Sequence, residues 1–167
     1  MVFPARFALV GSANPCPCGF FGDSRRRCTC SDSVVDRYRA RIGGPLMDRI
    51  DLVVDVARID PSLLLTPSAG ARTSVLKECV LEARERAVSR GLGPTSCLTG
   101  AALLQACHLD RDSRRRLESV ARRKGLSGRG VTRLLRVART AADLEGSERV
   151  GSEHISEMLG YRAKEET

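Results

Sequence analysis

Only two stretches of this chain read as β-strands, and two strands do not make a stable sheet alone. Phe7 to Ala13 is a short, nearly continuous apolar run that ends at Asn14-Pro15, which suits an interior strand of a parallel sheet covered on both faces. From Ile50 to Ala57 the apolar residues alternate (Ile50, Leu52, Val54, Val56), which reads as a strand with one face buried. Parallel strands need neighbours and crossover connections. Nothing in the chain supplies them for these two runs, so it is expected to be incomplete as a fold.

Between these runs lies the segment that joins the two kinds of structure. Gly43-Gly44-Pro45 forms a bend that limits the backbone, and an Asp48-Arg49 pair follows directly ahead of the second strand. A charged pair there fits a solvated strand end, and it equally fits a pair held in place for chemistry.

Four cysteines cluster upstream. Cys16-Pro17-Cys18-Gly19 is followed, across a loop rich in Gly and Arg, by Cys28-Thr29-Cys30. Two close pairs of thiols can converge on one tetrahedral ion, with Zn²⁺ the default for thiolate-only ligation. The Cys-x-Cys spacing is tighter than the usual two to four intervening residues. A filled site of four thiolates leaves no open position for a reacting water, so the expected role is structural. Arg25, Arg26 and Arg27 are placed to offset the negative charge and lower the thiol pKa values. The chain has 7 cysteines, an odd number that argues against a disulfide framework and fits a cytoplasmic chain. Cys79, Cys97 and Cys107 fall singly and read as small buried hydrophobes.

With no Trp and few other aromatics, the core has to be aliphatic. No window approaches the length of a membrane span. The formal charge is +8, and the stretch Asp110 to Thr140 carries a surplus as large as that total. Such a concentration allows a nucleotide or nucleic-acid partner, and helices with solvated Arg faces look the same.

The rest of the chain reads as helical. Ser31 and Asp32 can cap a short basic helix through Ile42. Residues 61–73, with Pro61, Pro67 and Gly70, read as a linker into a helical lobe over 74–163. Ser74 to Arg90 is its first helix, with Leu76, Val80, Ala83 and Ala87 as the apolar stripe and Arg84, Glu85, Arg86 and Arg90 outside. Thr99 starts a shorter helix to Cys107, Asp110 caps the next, and Gly125 ends it; His108 reads as a helix-end residue. Ser127 or Gly128 begins the longest motif, with Val131, Leu134, Leu135, Ala138, Ala141 and Ala142 inward and Arg139 and Asp143 able to pair at i,i+4. Arg129, Arg133 and Arg136 form one ridge on another face, either solvated or meeting an anion. Ser152 caps a last helix, and the tail 164–167 frays.

Taken together, "FPARFALVGSANPCPCG", "CTC", "DRYRARIGGPLMDRIDLVVDV", "LSGRGVTRLLRVARTAADLEGSERV" and the late "YR" resemble the C-terminal half of the magnesium-chelatase-like bacterial AAA+ ATPases. The Cys-Pro-Cys-Gly cluster makes the ComM/YifB branch the nearer likeness; its members are hexameric helicases associated with DNA branch migration. The resemblance implies that Asn14 is sensor 1, orienting the attacking water, and that Arg49 is the arginine finger reaching a neighbouring subunit's ATP. It also implies that Arg129 is sensor 2, with Arg133 the runner-up one turn later, and a fold class of an α/β AAA+ core remnant followed by an all-α lid: residues 1–60 are the last strands of the core with a small four-cysteine insertion at 16–30, and residues 74–163 form the lid. ATP with Mg²⁺, shared with missing sequence or a partner subunit, a homo-oligomeric ring and DNA follow as the implied cofactor and partners.

This sequence departs from that family in its nucleotide-binding motifs and in the stretch Gly93 to Cys97, where relatives usually carry an Asn-Ala-containing segment. It has no Gly-x-x-x-x-Gly-Lys-Ser/Thr loop and no acidic strand end to hold Mg²⁺. The chain reads as a fragment, a truncated product or a mis-called start, and ATP hydrolysis by it alone is not expected. The other reading of the same residues is a non-enzymatic zinc-containing DNA-binding or adaptor protein.

Overall fold

The computed structural model describes residues 7–47, 49–65 and 70–161. It divides into two units, Met1–Met47 and Asp48–Thr167. The expected fraying tail 164–167, Asp48 of the charged pair, and Pro67 of the linker lie outside the described residues.

In the first unit, residues 7–14 run without regular structure and are exposed, and a looped segment over 15–30 carries the four clustered cysteines. Helix α1 follows (Asp32–Ala40), then the one-turn α2 (Gly44–Met47). Val35 is the buried residue of α1, while its Arg37, Arg39 and Arg41 flank lies at the surface or half-buried.

The second unit is helical. After residues 50–60, which have no regular structure, come the short α3 (Pro61–Leu65), then α4 (Thr73–Ser89), α5 (Gly100–Cys107), α6 (Arg111–Arg123), α7 (Gly128–Leu144) and α8 (Ser152–Gly160). Helix α7 is the hub, packing against α4, α5 and α8, while α6 packs on α8. Its apolar stripe explains why: Leu134, Leu135, Ala138 and Ala142 are buried at helical spacing, with Val131 and Ala141 partly buried beside them. Leu103, Ala106 and Cys107 of α5, Leu117 and Val120 of α6, and Ile155 and Met158 of α8 complete one aliphatic core. Truncating a residue such as Leu134, 2% exposed, to Ala would cost roughly 2–5 kcal/mol.

Two helix starts follow the expected chemistry. The Asp110 side chain accepts the backbone N–H of Ser113 at 2.8 Å, and Ser127 Oγ accepts that of Gly130 at 3.1 Å. The Ser113 N–H holds the Asp110 carboxyl below the ordinary carboxylate value. His108 ends α5 in the left-handed conformation at φ 45°. At α8 the expectation fails: the cap position is Gly151, not Ser152. Its N–H donates to Nδ1 of the buried His154 at 2.8 Å, an imidazole at the third helical position doing what a Glu or Gln side chain does there in a capping box.

Three further corrections concern packing. Neither expected strand forms among the described residues: Phe7 to Ala13 and Ile50 to Ala57 lack ladder partners there, because a strand is defined by its neighbour and Val53 N–H donates instead to Tyr161 C=O. On α4 only Ala83 is buried, whereas Leu76 and Val80 are 54% and 42% exposed and Arg86 and Arg90 reach inward to Asp143. Charge partners on α7, not apolar periodicity, set the rotation of that helix. Cys79 and Cys97 are exposed, and of the three single cysteines only Cys107 is buried as expected. Among the described residues no helix is long and apolar enough to cross a membrane.

Candidate functional site

Cys16, Cys18, Cys28 and Cys30 come together as the spacing predicts. Their sulfurs lie within 4.8 Å of one another, and Cys16 is fully buried. Two tight turns produce the convergence. Gly19 N–H donates to Cys16 C=O at 3.0 Å and Asp23 N–H to Phe20 C=O at 3.1 Å, with Gly19 and Gly22 at φ 80° and 79°. Those angles favour glycine, which closes the first turn and holds the third position of the second. Asp23 Oδ1 then accepts the backbone N–H groups of Arg25 and Arg26, which closes the loop that brings Cys28 back. The Arg26 guanidinium lies 4.1 Å over Phe20, and that of Arg39 lies 4.5 Å over Phe21, which ties α1 to the loop.

The Sγ separations are 3.3 Å for Cys16–Cys18, 3.5 Å for Cys18–Cys28 and 3.7 Å for Cys16–Cys28. A tetrahedral tetrathiolate zinc, with metal–sulfur bonds of about 2.3 Å, sets its sulfurs about 3.8 Å apart. The donor set and its size therefore fit one such ion. Backbone N–H groups of Thr29 and Phe20 aim at Cys18 and hold its thiol down to about 5. At Cys28 the N–H of Cys30 also pulls downward, but burial and the neighbouring thiols of Cys18 and Cys16 outweigh it and push the group up to about 12. Four clustered thiols share too much negative charge to ionise together without a cation. Backbone donors thus do the work expected of Arg25, Arg26 and Arg27, whose own side chains are exposed.

Asn14 is exposed in the first unit. The arginines belong to the second. Arg49 is exposed at a turn before residues 50–60, and Arg129 is exposed on the first turn of α7. Arg133, one turn further along α7, is half-buried and donates from Nη1 to Ile50 C=O at 3.1 Å. Arg136 donates from Nε to Leu98 C=O at 2.8 Å. The ridge of three is therefore neither wholly solvated nor wholly free for an anion: its inner members are tied to backbone carbonyls, and Arg129 stands clear at the exposed end.

One charged cluster was only half visible in the sequence. Arg139 and Asp143 do pair, Nη2 to Oδ1 at 3.0 Å, but Asp143 also takes Arg90 from α4. Arg139 is 0% exposed and gives further bonds to the carbonyls of Ala106 and Glu148 at 3.2 and 2.9 Å. Burial lowers its pKa, and the Asp143 charge opposes that shift. Guanidinium remains charged regardless. His154, with Nε2 at 2.9 Å from Glu145 Oε2, was missed altogether, although its place three residues after Gly151 is the position a capping box uses.

Comparison with known proteins bears on all of this. The family described as "Magnesium chelatase, subunit ChlI C-terminal" matches residues 70–162, and "Magnesium chelatase, subunit ChlI" matches residues 1–64. Among curated relatives, the chain is 35% identical over 164 residues to the protein YifB of Escherichia coli, covering 98% of this chain and 32% of that protein. It is 36% identical over 162 residues to the competence protein ComM of Haemophilus influenzae, covering 96% of this chain and 31% of ComM. YifB of Salmonella typhimurium matches at 35% over 164 residues, with 98% of this chain and 32% of the relative covered. The chain thus spans about a third of the length of the curated relatives it matches.

Proposed function

This chain belongs to the magnesium chelatase family, and from that membership we propose that it supplies the distal part of a AAA+ ATPase module in an ATP-driven ring acting on DNA. Residues 1–60 are the end of the α/β core, 61–73 the linker and 74–163 the lid. Asn14 acts as sensor 1 on the attacking water. Arg49 is the finger that meets the γ-phosphate held by a neighbouring subunit, where a guanidinium offsets charge developing during phosphoryl transfer. Arg129 is sensor 2, contacting nucleotide from the lid. The phosphate cradle and the carboxylate for Mg²⁺ have no match in these 167 residues and come from another part of the assembly. Cys16, Cys18, Cys28 and Cys30 hold a structural Zn²⁺.

The observation that carries this reading is the state of the two strand-like segments. Phe7, Leu9, Val10, Leu52, Val54 and Val56 are 75%, 62%, 93%, 46%, 61% and 86% exposed. Two apolar, strand-like segments left uncovered in this way are what further strands of a core would cover by pairing with them. The test is a chimera in which this chain replaces the matched third of E. coli YifB. ATPase activity should survive the exchange and fall by about a thousandfold or more with Arg49→Ala, in line with the loss of an arginine finger. Full turnover by the Arg49→Ala chimera would falsify the finger assignment.

A second reading, a zinc-containing DNA-binding or adaptor protein, draws on the basic excess between Asp110 and Thr140. It requires the isolated chain to bind duplex DNA with an affinity that falls steeply with salt.

A further inference from the structure

The family resemblance offers Arg129 as the nucleotide contact, with Arg133 as the runner-up one turn later on α7. The structure separates them. Arg129 is exposed, while Arg133 is half-buried and spends Nη1 on the carbonyl of Ile50, the residue directly after Arg49. Three residues on, Val53 N–H donates to Tyr161 C=O at the end of α8, at 2.7 Å. Two hydrogen bonds from two different helices of the lobe therefore grip the backbone just beyond Arg49. Little else among the described residues restrains that stretch: residues 50–57 have no regular structure, and Leu52, Val54 and Val56 are exposed.

We infer that Arg133 is a positioning residue, a strut that makes residues 50–53 an extension of the helical lobe so that Arg49 moves with α7 and α8. This rests on the reading of Arg49 as the finger. A lobe rotation driven by nucleotide at Arg129 is then transmitted through Arg133 to the finger, and from there to the next subunit's ATP. The coupling has the form a ring needs, since one site's nucleotide state alters the geometry at its neighbour through a continuous chain of bonded groups.

Hydrogen exchange on this chain tests the strut directly. Arg133→Met keeps the aliphatic stem and removes the donors, so it stays readable even where Arg133→Ala unfolds. Exchange at residues 50–54, the Val53 amide above all, should speed up by about tenfold, the expected effect of losing a charged donor to a carbonyl. Peptides from α6 and the centre of α7 should not change, and Arg133→Lys should restore part of the protection. Unchanged exchange at 50–54, or an equal rise throughout the lobe, overturns the proposal. In the YifB chimera, Arg133→Met should lower kcat by about tenfold or more with the KM for ATP held within about twofold. A rise in KM with kcat intact would instead make Arg133 a nucleotide contact and overturn the strut. If Arg49→Ala leaves turnover whole while the exchange result stands, the finger reading fails and the mechanical linkage survives.

Discussion

Asp143 receives both terminal nitrogens of Arg90, at 2.5 and 2.7 Å, across 53 residues of sequence. The pair fastens α4 to α7 where few apolar contacts do so, since Ala83 is the buried residue of α4. Asp143 is 4% exposed and also carries Arg139, so one carboxylate serves two guanidinium groups.

Removing that carboxylate leaves two cations facing each other with little solvent. Asp143→Ala is expected to destabilise the helical unit by about 3–5 kcal/mol, as breaking a buried pair does. Arg90→Ala should cost less, because Arg139 and its carbonyl acceptors remain. Urea unfolding of both variants checks the order; equal effects from the two would mean that Arg139 is indifferent to Asp143.

At α8 the cap can be located by comparing two substitutions. His154→Ala removes the acceptor for Gly151 N–H, the bond to Glu145 and a residue only 2% exposed, for a loss of about 2 kcal/mol or more. Ser152→Ala should stay within about 0.5 kcal/mol of the parent, because its side chain is on the surface. Thermal melts of the two variants distinguish the observed cap from the one the Ser suggested.

The single thiols should divide by reactivity. Cys79 and Cys97, both exposed, should react with a disulfide reagent in the folded protein, while Cys107 should not until it unfolds. Burial, opposed by the charge on Arg139, pushes the Cys107 thiol up from 9.0 to about 11. The unfolded chain therefore ionises this thiol first. The contribution to stability is whole below pH 9.0 and is lost as pH rises through about 11. Cys107→Ser should flatten that alkaline loss in denaturation curves taken across the same interval.

Metal analysis of the purified chain should find near-stoichiometric zinc, and Cys28→Ser should abolish it; full zinc retention in that variant would remove Cys28 from the site. Metal binding displaces protons, so affinity should weaken as pH falls. Cys18 stays a thiolate down to about 5, whereas Cys28, pushed up to about 12 without a cation, must release its proton to bind. Cobalt titrations at several pH values, read by thiolate-to-metal absorption, follow the change.

Much of the lobe could be read directly from the chain, and the reasons are local. The stripe on α7, the caps at Asp110 and Ser127 and the Arg139–Asp143 pair all join residues three or four apart, where helix geometry alone brings side chains together. The four-cysteine cluster was legible because short loops leave those thiols few other places to go. Failures came where a distant partner decided. Arg90 looked like a solvent-facing residue until Asp143 was in place, and His154 was overlooked because a histidine is seldom the acceptor at that position.

The sequence by itself determined the six longer helices, where most of them start, and that four thiols meet; the short α2 and α3 stand where a bend and a linker were expected. Tertiary structure alone decided the rotation of α4, the exposure of Arg129 against the tethering of Arg133 to Ile50 C=O, and the fate of the alternating run from Ile50. Periodicity records which side of a segment prefers to be covered, but it carries no information about what does the covering. Pairing and burial are properties of two segments, and the second is chosen only when the chain closes on itself.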